Sequence, residues 1–228
     1  MKKEHIVVFT GAGMSAPSGL ATFRDPDGIW SRYRVEEVAT PEAWATNQEK
    51  VLEFYNVRRT QLAKVEPNEG HRAIAELEQQ YKVTVVTQNV DNLHERGGST
   101  SVLHIHGELT KASSTIDPDL VYDIGPGLLN PGDLCEKGSQ LRPHVVWFGE
   151  EIFHTEQACA AIADCDIVIV AGTSLQVYPA AAMILHAPPA ARRYLVDPGS
   201  PNAPEDFQHL CGSVDILLPK LAKEFLAK

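Results

Sequence analysis

The chain of 228 residues has only four cysteines, Cys135, Cys159, Cys165 and Cys211, and no two of them form a C-x-x-C pair. This spacing excludes a secreted disulfide framework and encodes no evident zinc site, so a reduced, cytoplasmic protein is expected. Basic residues are also scarce: 20 Lys and Arg stand against 30 Asp and Glu, a formal net charge of -10, and the acids are scattered rather than gathered in a tail. Nucleic-acid binding rests on a basic surface, so a nucleic-acid partner is not expected, although a small anion held locally is not excluded. Long apolar runs are missing too, and the opening MKKEH has no leader pattern, so neither a signal peptide nor a membrane partner is expected. There are no internal repeats and no low-complexity tract.

What is present is a chain long enough for one large domain, or for a main domain carrying a smaller insertion. Short β-branched runs recur at HIVVFT, VTVVTQ, HVVWFG, DIVIVAG, RYLVD and VDILLP, and these are read as strands. Between them lie stretches with helical spacing, notably Glu49 to Val65 and Glu69 to Gln80. Alternating strands and helices predict an α/β fold, a parallel sheet covered on both faces. Two regions break the rhythm. Residues 111–143 are rich in Pro, Gly, Ser and Asp and read as an insertion, not as sheet; Phe23 to Asn47, which carries RDPDGIW, is loosely patterned.

The first run ends in a glycine turn, HIVVFTGAGMSAPSG. Gly11, Gly13 and Ala16 fit G-x-G-x-x-[GA] after a strand, a pattern whose backbone N–H groups and helix N-terminus receive a pyrophosphate. Gly11 is read as permitting the sharp turn, Gly13 as leaving room for the phosphate, and Ala16 as allowing close helix packing. Such turns also join strands to helices where no nucleotide binds. An acidic residue closing a second strand about 20 residues on would favour an ordinary dehydrogenase. Glu36 and Glu37 lie near that distance with no strand ahead of them, which weakens the dehydrogenase reading.

The turn is followed by TQNVDNLH from Thr87, LHIHGEL from Leu103, RPHVVWFGE from Arg142 and AGTSLQVYPA from Ala171. In order and spacing, over nearly the whole chain, these motifs resemble the sirtuin family of NAD-dependent protein lysine deacylases. The resemblance implies a Rossmann-like sheet in a single catalytic domain, 1–228. Within it, 23–66 would form the cofactor loop and helical part of a small module, and 111–143 a reduced insertion in place of the family's zinc module. It implies NAD+ as co-substrate, acylated lysine peptides and proteins as partners, and nicotinamide, O-acyl-ADP-ribose and free lysine as products. A monomer is expected.

The site residues follow from the same resemblance. Gln88 would bond the nicotinamide ribose, Asn89 would order the ribose and a water, and Asp91 would hold the nicotinamide amide. By its residue type alone, Asn89 also reads as a helix cap. His106 would be the general base, because an imidazole titrates near neutrality. His104, two positions earlier, points the same way on a strand, and only the family's His-Gly pair selects His106. Ala12 and Ser15 of the turn, Phe23, Arg24 and Trp30 of the loop, Gly172, Thr173 and Ser174 of AGTS, and Asp197 and Ser213 would complete the cofactor contacts. Thr173 or Ser174 also reads as a simple cap. Many relatives carry Pro-Asp where this chain has Ala21 and Thr22.

Val146, Phe148 and Gly149, with Val177 opposite, would pair by backbone with an extended substrate peptide. Tyr55 and Arg58 lie three apart on a predicted helix and share a face. In one subgroup a Tyr-x-x-Arg at this place recognises acidic acyl chains, with an upstream alanine, here Ala39, widening the pocket, so acetyl and succinyl lysine are both expected substrates. Apart from the family, Tyr55 reads as core and Arg58 as surface. Typical members hold zinc with two C-x-x-C pairs after the His-Gly pair. Only Cys135 lies in that region, with Ser113 and Ser114 near the first pair, so zinc is expected to be absent. Cys159 and Cys165 read as small buried hydrophobes. The rivals are a protein mono-ADP-ribosyltransferase and a non-catalytic NAD sensor.

Overall fold

A computed structural model of the chain describes residues 3–22, 33–173, 175–176, 178–199 and 205–227. In chain order these form β1 (His5–Thr10), α1 (Val35–Val38), α2 (Pro41–Thr46), α3 (Gln48–Leu62), α4 (Glu69–Glu76), β2 (Lys82–Thr87), α5 (Leu93–Arg96), β3 (Val102–His104) and β4 (Gly107–Ser114). They continue with β5 (Val121–Asp123), β6 (Leu141–Val145), α6 (Thr155–Ala163), β7 (Ile167–Ala171), β8 (Arg192–Val196), β9 (Gln208–Leu210) and α7 (Val214–Leu226). Six strands make a wholly parallel sheet in the order β3-β2-β1-β7-β8-β9. The chain winds outward from β1 to β3, then returns to β1's other side with β7. The reversal of winding opens a crevice at the carboxyl ends of β1 and β7, where sheets of this kind bind ligands.

The central strands β1, β2 and β7 are buried at every residue but Lys82 because both faces are covered. Alternate side chains of β1 point to opposite layers: Ile6 and Val8 pack with Ile74, Leu218 and Phe225 beneath α4 and α7, while Val7 and Phe9 pack with Ala158, Ile162 and Met183. Full burial of each such side chain contributes about 1.5–3 kcal/mol. The helices start where short polar side chains satisfy free N–H groups: Thr40 accepts from Ala43 N at 3.1 Å, Asn47 from Lys50 N at 3.0 Å and Asn68 from Gly70 N at 2.9 Å.

Three expectations are corrected. VDILLP is not a strand but the start of α7, whose buried residues Val214, Leu218, Leu221, Ala222 and Phe225 follow helical spacing. Six residues alone cannot distinguish the two periods, and Pro219 lies inside the helix, where a proline usually argues for a break. HVVWFG is not part of the parallel sheet; β6 stops at Val145 and pairs antiparallel with β4. Residues 111–143 are sheet in part, since β4 pairs antiparallel with both β5 and β6 to form a second, three-stranded sheet. Among the described residues no helix is long and apolar enough to cross a membrane.

Several imidazoles are sealed in this core. His71 of α4 meets His94 of α5 edge-on, ring centres 4.8 Å apart, and both are fully buried. Burial, with nearby Arg72, holds the His71 pKa down to about 4, and burial beside His71 and His104 holds His94 well below the usual value. The unfolded chain therefore takes up these protons first, near pH 6.5. Stability is expected to be fully present above that pH and to fall toward pH 4, with His71 alone contributing about 3 kcal/mol across the window. Denaturant midpoints measured at pH 7 and pH 5 check this; equal midpoints would contradict it.

Candidate active site

The site is assembled from the carboxyl ends of three adjacent strands. After β1 the chain makes two short 3-10 turns, Ala12–Met14 and Ala16–Ser18, instead of the helix that the glycine pattern suggests. The glycines answer to a neighbouring strand. Gly13 N donates to Gly172 O at 2.8 Å, and a Cβ on Gly13 would lie 2.8 Å from that oxygen. Gly172, at φ +60, would place a Cβ 2.2 Å from Met14 N. Gly11 is extended, at φ -133, so it is required by contact with Thr173, 2.7 Å from its virtual Cβ, and not by backbone freedom.

β2 delivers Gln88, Asn89 and Asp91. Asn89 Nδ2 donates to Ser15 Oγ at 3.1 Å, and Ser15 Oγ donates to Asp91 Oδ2 at 2.9 Å, a continuous relay across the cleft. Asn89 caps no helix. Leu93 N is held by Asp91 Oδ1 at 3.2 Å instead. Burial raises the Asp91 pKa against the opposing pull of Leu93 N–H, Ser15, His104 and Arg58. Gln88 Nε2 reaches Thr173 Oγ1 at 3.4 Å, and Thr173 also accepts from Leu175 N at 3.2 Å, so β2 and β7 are tied at the cleft floor. Beneath them Thr10 bridges Thr87, at 2.8 Å, and His94, at 3.0 Å, while Thr87 accepts from Asn89 N. This underlayer is not evident from sequence, although His94 closes the TQNVDNLH motif.

The two histidines that chain position leaves unranked now separate. His104 engages both ring nitrogens, with Asn89 O at 2.9 Å and Glu95 Oε1 at 2.7 Å. Burial alone would lower its pKa, but Glu95 more than offsets this and the net shift is upward. It is a structural, charge-paired imidazole. His106 lies just past β3 and is half-buried; its Nδ1 donates to Gln88 O at 3.0 Å. That bond fixes the tautomer with the lone pair on Nε2. Burial lowers its pKa, only partly opposed by the Gln88 carbonyl. Gly107, at φ +80, follows because β4 must cross β6 there; a Cβ would lie 2.2 Å from His144 O.

A second wall comes from α1, α3 and the segment after β6. Tyr55 is buried, and its hydroxyl accepts from Trp147 Nε1 at 3.1 Å, so its own proton stays available. Burial pushes its pKa up to about 12, despite the nearby Arg58 cation. Arg58 is half-buried over the rings of Phe54 and Tyr55, at 5.8 and 5.9 Å. Burial lowers its pKa, opposed by Tyr55 and Asp91, which places the guanidinium within the electrostatic reach of the Asp91 carboxylate. Ala39 is buried and accepts from Phe148 N at 3.0 Å. Val146 N donates to His106 O at 2.9 Å and Trp147 N to Glu150 Oε2 at 2.8 Å, so three successive N–H groups of this segment are engaged internally. Trp147, buried and stacked 3.4 Å from the Arg142 guanidinium, is a wall residue that sequence reasoning missed; its signal was VVWFGE. Gly149 is exposed at φ +94.

Asp197 closes β8 and accepts from Gly199 N at 2.8 Å, while Ser213 precedes α7 and bonds Asp215. They lie beside β8, on the other side of the sheet from β3 and His106. Phe23, Arg24, Trp30, Ser174 and Val177 lie outside the described residues.

The polar groups at the cleft suit a dinucleotide: a close-packed glycine turn and Thr173 at the crevice, amide, carboxylate and imidazole side chains at the β2 end. The region where typical members of the resembled family hold zinc is joined here by other contacts. Asp117 is paired with Lys137 at 2.6 Å, Ser114 Oγ and Cys135 Sγ both meet Ser139 Oγ, at 3.1 and 3.3 Å, and no group of three His, Cys, Asp or Glu residues forms a metal site among the described residues.

Fold and cleft together define a parallel α/β protein with a dinucleotide crevice faced by a single-tautomer imidazole. The Sir2 family model matches residues 11–179, and the chain belongs to that family. It is 48% identical over 224 residues to an NAD-dependent protein deacylase of Helicobacter pylori, covering 96% of this chain and 97% of the relative. It is 50% identical over 200 residues to an NAD-dependent protein deacylase of Bacteroides thetaiotaomicron, covering 86% of each. Among solved structures, a Sir2 homolog–NAD complex superposes with a TM-score of 0.88 at 37% identity, covering 99% of this chain and 90% of that one. Sir2Af2 bound to a myristoylated histone peptide gives 0.75 at 33% identity, covering 98% and 91%.

If His106 Nε2 is the working base, kcat/KM should be flat at neutral pH and fall as acid protonates the ring, with an apparent pKa below the ordinary 6.5. His106→Ala should lose at least about 100-fold. A pH profile with its acid limb above 6.5 would contradict the assignment.

Proposed function

We propose that the chain removes acyl groups from protein lysines with NAD+ as co-substrate, releasing nicotinamide, free lysine and O-acyl-ADP-ribose. The observation that carries this is the His106 geometry: Nδ1 committed to Gln88 O at 3.0 Å, and Nε2 left as a base with a lowered pKa. When bound, NAD+ supplies a nicotinamide–ribose bond whose loss leaves an electrophilic sugar carbon. Gln88 and Asn89 orient the ribose, and Asp91, fixed by Ser15, holds the nicotinamide amide. His106 Nε2 takes the proton of a ribose hydroxyl and so helps it receive the acyl group. The buried floor of Thr10, Thr87 and His94 keeps water from reaching the segment from below. The names of the relatives and the peptide-bound neighbour support a protein substrate.

The acyl group is read from α3. A guanidinium forks onto a carboxylate, and a phenol that accepts from Trp147 keeps its own hydrogen to donate, so Arg58 and Tyr55 together suit succinyl-lysine, with Ala39 leaving room beside them. Acetyl-lysine uses the same pocket without the carboxylate contact. Because Val146, Trp147 and Phe148 have their N–H groups engaged, an extended substrate would pair here through backbone carbonyls. Incubation with NAD+ and acetylated or succinylated peptide, following nicotinamide, peptide mass and acyl-ADP-ribose, is expected to give equal consumption of both substrates. ADP-ribose added to protein would indicate a transferase, and binding without turnover a sensor. Arg58→Met should lower kcat/KM for succinyl peptide about 10- to 100-fold and leave the acetyl reaction nearly intact; equal losses would refute the recognition role.

The small module is proposed to fold without zinc. Asp117–Lys137 and the Ser114–Ser139–Cys135 cluster join the loop after β4 to the loop before β6, the junction that a metal would otherwise make. The Ser114 and Ser139 hydrogen bonds bring the Cys135 thiol down to about 7. Protein purified without added zinc should contain far less than one equivalent and keep its activity in chelator; a stoichiometric metal lost together with activity would overturn this.

A further inference from the structure

His104 ends the edge strand β3, opposite Thr87 of β2, and only 4% of it is exposed. Its ring spans the segment that carries the cleft side chains: Nδ1 lies 2.9 Å from Asn89 O and Nε2 lies 2.7 Å from Glu95 Oε1. Both partners, a carbonyl and a carboxylate, only accept, and a neutral imidazole has a single N–H. The doubly protonated ring alone satisfies both. Its surroundings favour that charge. Glu95 of α5 is in direct contact, and Asp91 of the same segment and Glu108 of β4 are within electrostatic reach. Among the nearby basic groups, Lys111 is paired with Glu108 at 2.7 Å, and burial holds His94 of α5 neutral. Burial opposes a charge on His104, but the hydrogen bond and charge of Glu95 outweigh it and the ring's pKa is raised. Burial likewise opposes ionisation of Glu95, and His104 more than offsets it.

We infer that His104 is a positioning residue for the cleft: as an imidazolium it clamps Asn89 O to Glu95 and so sets the Asn89 and Asp91 side chains against Ser15. The inference rests on the proposed NAD+ chemistry for what those side chains hold. The clamp joins other bonds of the same segment, since Asn89 N is held by Thr87 and Asp91 Oδ1 holds Leu93 N at the start of α5. His106 holds Gln88 O, so residues 104 and 106 secure two successive carbonyls, one with a charged ring and the other with a neutral one. When His104 loses its second proton, a lone pair must face either Asn89 O or the Glu95 carboxylate. One anchor of the segment then fails, and the positive charge near Asp91 goes with it.

The test is the affinity of the full chain for NAD+, measured by titration calorimetry across pH. The wild type should bind evenly through neutral pH and weaken about 10-fold or more on the alkaline side, at a pH above the ordinary 6.5 of an imidazole. Glu95→Gln should lose this alkaline limb: the neutral ring keeps its Nδ1–H on Asn89 O, and its Nε2 lone pair accepts from the new amide, so both bonds survive without a charge. His104→Ala should bind NAD+ about 10- to 100-fold more weakly at every pH, with no such limb. Glu95 is partly exposed, so Glu95→Gln carries the test even where His104→Ala folds poorly. Wild-type affinity without an alkaline limb, or the same limb in Glu95→Gln, would overturn the inference; a merely structural histidine would change stability without exchanging one pH profile for another. Calorimetry needs no turnover, so NAD+ binding with this limb but no acyl removal would sink the proposed reaction and leave the clamp standing.

Discussion

The cleft depends on the contact of two backbones, Gly13 N on Gly172 O at 2.8 Å, where β1 and β7 end side by side. These strands belong to the two oppositely wound halves of the sheet, and nothing larger than hydrogen fits between them at either residue. The contact sets the width of the crevice. It also fixes the position of Thr173, which receives Gln88, and of Ser15, which receives Asn89 and binds Asp91. A side chain at either glycine would push the halves apart and separate the groups that the cleft brings together.

Around that contact, the histidines have been sorted by their partners. His104 is charge-paired with Glu95; His71 and His94 are kept neutral by burial; His106 alone combines partial exposure, one fixed nitrogen and a free lone pair. Four imidazoles of identical intrinsic chemistry thus take three different protonation behaviours within one region. The polar underlayer of Thr10, Thr87 and His94 does not touch the cleft, but it fixes Asn89 N and with it the direction of the whole Gln88–Asp91 segment.

Much of this was legible in the sequence. The β-branched, largely apolar runs of β1, β2, β7 and β8 gave the two-faced parallel sheet, and the joint order of the glycine turn, TQNVDNLH, HIHGEL and VVWFGE gave the family. Local patterns failed where two periods coincide over a short run, as in VDILLP, and where the pairing partner is distant, as in residues 111–143, whose strands show themselves only once β4 and β6 meet. Chain position alone left His104 and His106 unranked; the resemblance chose His106 through its His-Gly pair, and the physical difference between the two rests on Glu95 and the Gln88 carbonyl, neither of which is fixed by spacing. Gly13 was read as leaving room for a phosphate, whereas the backbone its side chain would strike is that of Gly172, 159 residues downstream, a distance no local motif can carry.

Gly107 lies between the parallel sheet and the small antiparallel one, and His106 is its immediate neighbour. The imidazole therefore sits at the joint between the two sheets. A rigid lever travels least at its pivot, so any tilt of the small sheet about Gly107 would sweep its far edge, at β5, through the widest arc while shifting the imidazole very little.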